Sequence, residues 1–228
     1  METIFETCAV CFFKNTLCKG LTSEEFNSIF NLTKQKVYQK GEVIFKQGET
    51  TKFLVFLTHG MVKLVYDNHG KELILTLEKA QTLLGLANIL NEDSNLFSII
   101  AIEECKGCIL DINRIKLLFL NNHKFMLEIM GISTRMFRES ILNFISMAHK
   151  QSNGRIADVL IFLATNIYNS FDFSVSLSRQ ELAEFAGCSK ELITHTLQRF
   201  SSEGIIHVSG KKIEILDMPR LQTISRFG

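Results

Sequence analysis

Residues Ser176 to Gly204 read SLSRQELAEFAGCSKELITHTLQRFSSEG. Two short amphipathic helices are implied. The first spans about Arg179 to Phe185, with Ser178 at the N-cap and Glu181 three residues on, a capping box. Leu182, Ala183 and Ala186 face inward. Gly187-Cys188-Ser189 makes a tight turn, where glycine takes positive φ without penalty. Ser189 caps a second helix, about Lys190 to Ser202, with Leu192, Ile193, Leu197 and Phe200 inward. Beyond Gly204, Ile205–Val208, a turn at Ser209-Gly210 and Lys212–Leu216 read as a β-hairpin. A helical hairpin followed by a basic-tipped β-hairpin is a winged helix, a module that lays its second helix in the DNA major groove.

Charge gives mixed support. The chain has 228 residues and a net charge of +1. Basic and acidic residues number 17 and 16 up to residue 150, and 8 and 8 after it. The C-terminal part is therefore not basic overall, and few phosphate contacts per chain are expected. Arg179, Lys190, Arg199, Lys211 and Lys212 are placed on the contact face, with Asp158 and Asp172 outside it. Glu2, Glu6 and Cys8 interrupt any export signal, and no apolar run reaches membrane-spanning length. A cytoplasmic location is expected, where six cysteines serve metal or redox chemistry rather than disulfides.

Cys8, Cys11 and Cys18 come early, before any regular element. Three thiolates so close suit zinc or an iron–sulfur cluster, and either needs a fourth ligand. Thr22 and Glu25 frame the start of a helix with Phe26, Ile29 and Phe30 inward. From Lys36 to Ile112 the pattern is short, β-branched and glycine-punctuated: Glu42–Phe45, Phe53–Leu57, Met61–Tyr66, Leu73–Leu77, Phe97–Ile102 and Gly107–Ile112. That spacing indicates a sandwich, roll or jelly roll. After a short helix, about Asn113 to Asn122, Lys124 to Lys150 is continuously helical. Met126, Met130, Ser133, Phe137, Ser140, Phe144 and Met147 form a heptad seam, and Ile129, Ile132, Met136, Ile141 and Ile145 widen the apolar surface. One stripe suits the chain's own barrel and the other a second subunit, a homodimer. Asn153 is expected to cap a further helix, Arg155 to about Tyr168. An enzyme of cupin type would need clustered histidines with a carboxylate, and His59, His69 and His123 are scattered.

The order of parts, with Gly154-Arg155-Ile156-Ala157, Ser178-Arg179-Gln180-Glu181-Leu182-Ala183 and Gly187-Cys188-Ser189-Lys190-Glu191, resembles the CRP/FNR family of bacterial transcription regulators. The resemblance covers nearly the whole chain. It implies an α+β fold: an N-terminal cyclic-nucleotide-binding-like β-roll (a double-stranded jelly roll), a long dimerisation helix, and a C-terminal winged helix-turn-helix. The corresponding divisions are a cysteine-rich segment 1–20, a β-roll sensor 21–122, a dimerisation helix 123–150 and a DNA-binding domain 151–228. The implied partners are double-stranded DNA with a palindromic operator, a second copy of the chain, and RNA polymerase.

By resemblance, Arg179, Gln180 and Ser189 lie near phosphates, and Lys190, Glu191, Thr194 and His195 face base edges. A carboxylate accepts from cytosine N4. The family usually has arginine where His195 stands; neutral histidine has a single donor and cannot fork onto guanine. Cyclic AMP is not expected: Gly85 is followed by Leu86-Ala87 rather than glutamate, and Asn95-Leu96-Phe97-Ser98 offers no arginine to the phosphate. The cysteines resemble the FNR branch, which implies a [4Fe-4S] cluster on Cys8, Cys11, Cys18 and Cys108, with Cys105 a substitute, sensing oxygen, redox state or nitric oxide. The alternative is a regulator of the same fold whose β-roll binds haem or a small effector, its cysteines structural or zinc-binding.

Overall fold

The computed structural model describes residues 20–30, 33–89 and 94–228. Cys8, Cys11 and Cys18, and the side chains of Ile29 and Phe30, lie outside that description. Helix α1 (Ser23–Phe30) opens on the expected reciprocal cap. The Glu25 N–H donates to Thr22 Oγ1 (3.2 Å) and the Thr22 N–H to Glu25 Oε2 (2.8 Å).

Among the described residues eight strands follow: β1 (Lys34–Tyr38), β2 (Val43–Phe45), β3 (Phe53–His59), β4 (Met61–Asn68), β5 (Lys71–Lys79), β6 (Thr82–Leu84), β7 (Ser98–Ala101) and β8 (Cys105–Asp111). They form two four-stranded sheets, ordered β1-β8-β3-β6 and β2-β7-β4-β5. Gly60 makes the β3–β4 turn at φ +89°, and a Cβ there would lie 2.5 Å from the Glu104 carbonyl. Two of these strands are unannounced by the sequence pattern. Three of the five residues of β1 are polar, and β6 has only three residues.

The Asp111 carboxylate caps α2 (Ile112–Asn121), accepting from the Asn113 and Arg114 N–H groups. Helix α3 (His123–His149) is the longest element. Its Phe125 and Ile129 join an apolar cluster with Phe26, Leu54, Phe56, Leu83, Cys108, Leu110, Ile112 and Ile115. Ile132 and Met136 pack against the same cluster. Among the described residues, the opposite face of α3 is exposed. Leu127, Met130, Phe137, Ile141, Phe144 and Ile145 are all exposed, Phe137 and Phe144 to 68% each. Ile141 and Ile145 therefore belong with the exposed stripe rather than with the chain's own core.

Helix α4 (Ser152–Phe162) follows. Its N-cap is Gln151, not Asn153 as the sequence implied. Asn153 sits inside the first turn, with its Oδ1 3.4 Å from the Thr196 hydroxyl. The helix does not run evenly to Tyr168: a π turn, Leu163–Ile167, interrupts it. Then come β9 (Asp172–Ser174), α5 (Arg179–Ala186), α6 (Lys190–Ser202), β10 (Ile206–Ser209), β11 (Lys212–Ile215) and α7 (Met218–Phe227). The small sheet is ordered β10-β11-β9.

Among the described residues, contacts divide the chain into two units. One extends to Leu64 and resumes from Glu78 to Arg138; the other takes Val65–Leu77 and Glu139–Gly228. The division falls inside α3. No helix among the described residues is long and apolar enough to cross a membrane.

Candidate nucleic-acid interface

The α5–α6 pair is built from its caps. The Glu181 N–H donates to Ser178 Oγ (3.2 Å) and the Ser178 N–H to Glu181 Oε2 (2.8 Å). Gly187 ends α5 at φ 59°, in the left-handed region, and the Cys188 N–H donates to the Ala183 carbonyl. Ser189 Oγ accepts from the Leu192 N–H (3.2 Å) and starts α6. Leu182, Ala183, Phe185, Ala186, Ile193, Leu197 and Phe200 are buried. Two assignments change. Leu192, expected inward, is 37% exposed, and Thr196 takes the inward place one turn later. Thr196 is three residues after Ile193 and four before Phe200, so helical periodicity alone marks its position.

Arg155 fixes this pair to the end of α3. Its Nε donates to the Ala186 carbonyl (2.8 Å), Nη1 to Lys150 (2.9 Å) and Nη2 to Gly187 (3.0 Å). These are carbonyls at helix ends, where the backbone leaves acceptors unsatisfied. Beside it, the Asp158 carboxylate takes Lys150 Nζ (2.8 Å) and the hydroxyls of Ser146 and Ser225 (2.5 Å each).

The predicted contact residues divide by what already holds them. Arg179 Nη2 donates to the Gly210 carbonyl (2.9 Å), tying α5 to the β10–β11 turn, and burial pushes its guanidinium below its ordinary pKa. Gln180 Nε2 donates to Glu184 Oε1 (2.9 Å). Ser189 is engaged as a cap. The Thr194 hydroxyl donates back to the Lys190 carbonyl (2.7 Å), which leaves its methyl and an acceptor to face outward. Lys190, Glu191 and His195 are exposed on α6. Hydrogen bonds from its own N–H and then from Ser189 hold the Glu191 carboxyl below the usual carboxylate range, so it is an acceptor at neutral pH. Among the lysines of the wing, Lys211 is exposed, whereas Lys212 pairs with Asp172 at 2.9 Å. Asp172 thus adjoins the basic face that the sequence reading kept it out of.

The predicted metal ligands are only partly in view. Cys108 is 5% exposed, and β8 alternation directs it with Leu110 into the cluster that Phe26 covers. Cys105, three residues earlier, falls on the other side of the strand. Its thiol donates to the Met61 carbonyl (3.2 Å), and burial pushes its pKa up. That placement does not suit Cys105 as a substitute ligand. Among the described residues no three His, Cys, Asp or Glu side chains converge on a metal-sized site. In the β-roll, Gly85 (φ 89°) leads into a 3-10 turn, Leu86–Asn88. The buried Asn95 donates its amide to the Lys46 carbonyl and Thr51 Oγ1. Arg114, on α2, is the only arginine before residue 135.

Of the expected seam, Met130, Phe137 and Phe144 are exposed. Met126 is half-buried. Met147 is half-buried too, its methyl 3.8 Å from where a Cβ on Gly187 would sit.

The cyclic nucleotide-binding domain family matches residues 35–122 and the Crp-like helix-turn-helix domain family matches residues 154–224. The chain belongs to the CRP/FNR family and is a DNA-binding transcription regulator, not an enzyme. It is similar to the transcriptional activator protein Anr of Pseudomonas protegens, 24% identical over 204 residues, 87% of this chain and 83% of Anr. It is equally similar to the cyclic AMP receptor protein of Thermus thermophilus, 24% identical over 213 residues, 92% of this chain and 96% of that protein. Identity therefore does not choose between signals. The structure of FixK2 from Bradyrhizobium japonicum shares the fold, with a TM-score of 0.78 at 16% identity over 85% of this chain and 97% of that one.

Proposed function

We propose that the chain acts as a homodimer on a palindromic operator and responds to oxygen, redox state or nitric oxide through Cys8, Cys11, Cys18 and Cys108. The observation that carries the signal is the position of Cys108. It lies in the same apolar cluster as Phe26 of α1, the helix that follows the cysteine-rich segment. Gly20, two residues after Cys18, is held at the junction of α2 and α3: Asn122 Nδ2 donates to its carbonyl at 3.0 Å. Four cysteine thiolates fit a [4Fe-4S] cluster, which when bound supplies iron that reacts with oxygen and nitric oxide.

What the chain's own residues do follows from α3. Phe125, Ile129, Ile132 and Met136 on one side pack with Cys108's cluster, while Met130, Phe137 and Phe144 on the other face solvent. A change around Cys108 bears on the helix that would pair the two copies. Pairing sets the separation of two α6 helices, which must match major grooves about 34 Å apart. The signal acts only so far as it favours one pairing over another. RNA polymerase is the expected further partner.

The test is protein purified without oxygen, analysed for iron, sulfide and visible absorbance, with operator binding before and after air. Iron and sulfide in equal amounts, lost in air together with DNA affinity, is the expected result. Tight, air-insensitive DNA binding with no iron would overturn the signal while leaving the regulator. Haem bands would favour the second reading, a β-roll sensor, which the deep burial of Cys108 among apolar side chains also accommodates.

A further inference from the structure

Helix α6 presents more than the residues assigned to it. Its exposed arc carries Glu191, His195 and Gln198, spaced i, i+4 and i+7, with Thr194 between them at i+3. This is the spacing by which one straight helix face tracks the floor of a major groove; homeodomain recognition helices read bases from four positions so spaced. Gln198 is exposed, and among the described residues its amide makes no hydrogen bond. Its neighbour Arg199 is differently placed. It lies 3.8 Å from Glu203 and has its guanidinium over the Phe200 ring, off the stripe. The outward Leu192 stands beside Arg199 on the helical wheel, at the edge of the arc.

We propose that Gln198 is a base-reading residue that selects adenine. This rests on the reading of α6 as the recognition helix. A glutamine amide offers one acceptor and a donor pair, and forks onto adenine N6 and N7. Seven residues of helix advance about 10.5 Å. Helices lying in the major groove contact successive bases from side chains three or four residues apart, so Gln198 addresses a base pair roughly two steps from the one read by Glu191. The half-site then has two anchors, a cytosine opposite Glu191 and an adenine opposite Gln198. His195 stands between them, without the forked donors of arginine.

The experiment is selection from duplex DNA with a randomised core by the full chain, purified without oxygen, followed by titration of the enriched sequences. Wild type is expected to enrich adenine at one symmetry-related pair of positions. Gln198→Ala should flatten that preference by roughly 5- to 150-fold, the value of one bidentate pair, and leave the others in place. Gln198→Arg should move the preference there from adenine to guanine. Glu191→Ala should flatten a different pair of positions, about two base pairs away. If Glu191→Ala changes the selected sequence and neither Gln198 variant does, Gln198 does not read a base. Equal weakening by Gln198→Ala on every sequence would mean a backbone contact and would overturn the proposal too. A wild type with no base preference would sink it together with the operator reading above.

Discussion

Arg155 meets three carbonyls from two helix ends, and no shorter side chain spans them. Arg155→Ala is expected to lower stability by about 2–3 kcal/mol, seen as a lower urea midpoint at unchanged slope. Arg155→Lys should recover little of it, because a lysine ammonium lacks the planar fork. An unshifted midpoint in the alanine variant would mean that these bonds form equally well with water. Gly60 is a second position held by geometry. Gly60→Ala adds a Cβ at φ +89° against the Glu104 carbonyl, and a loss of about 1–3 kcal/mol is expected by the same measurement. Tyr38 titrates with the fold. Burial first, and Glu42 second, push its hydroxyl up from 10.0 to about 12. The folded state keeps the proton longer than the unfolded one, so this contribution is whole below pH 10 and is lost as pH rises through 12. Thermal unfolding above pH 10 should show the fall, and Tyr38→Phe should lessen it.

At the scale of elements, the sequence told most where local rules act alone. The caps at Thr22, Ser178 and Ser189 and the left-handed Gly187 were readable because each needs only three or four neighbouring residues. Helix α3 was readable as a helix but not in its facing. Ile129, Ile132, Ile141 and Ile145 are the same residue type, and only tertiary packing tells that the first two meet the core and the last two do not. Strand β1 escaped because Lys34, Gln35 and Lys36 are exposed; what makes it a strand is pairing with β8, about seventy residues away. The bare face of α3 carries its own prediction. Phe137→Glu or Phe144→Glu places a charge in the proposed pairing surface, and sedimentation is expected to report dimers for wild type and monomers for either variant. Burying an unpaired charge costs several kcal/mol. A dimer that survives both changes would place the contact elsewhere.

For the whole molecule, a net charge of +1 describes the binding surface poorly, because pairing removes some lysines from use. Lys212 faces Asp172, while Lys211 is exposed beside it. In a dimer each phosphate contact counts twice, so Lys211→Ala should reduce the slope of log affinity against log salt by about 1.8. Lys212→Ala should change it less. Equal slopes would separate the wing from the DNA. The candidate site was legible at the α6 surface, where exposure follows helical period. It was not legible at the cysteines, since whether four thiols meet depends on how distant segments fold together rather than on their spacing. One consequence reaches beyond either site. Because Arg155 grips Lys150, Ala186 and Gly187 at once, Gln151 is not a loose swivel between α3 and the helices that follow. Torque applied to the tip of α3 is delivered to the turn before α6 as through a keyed shaft.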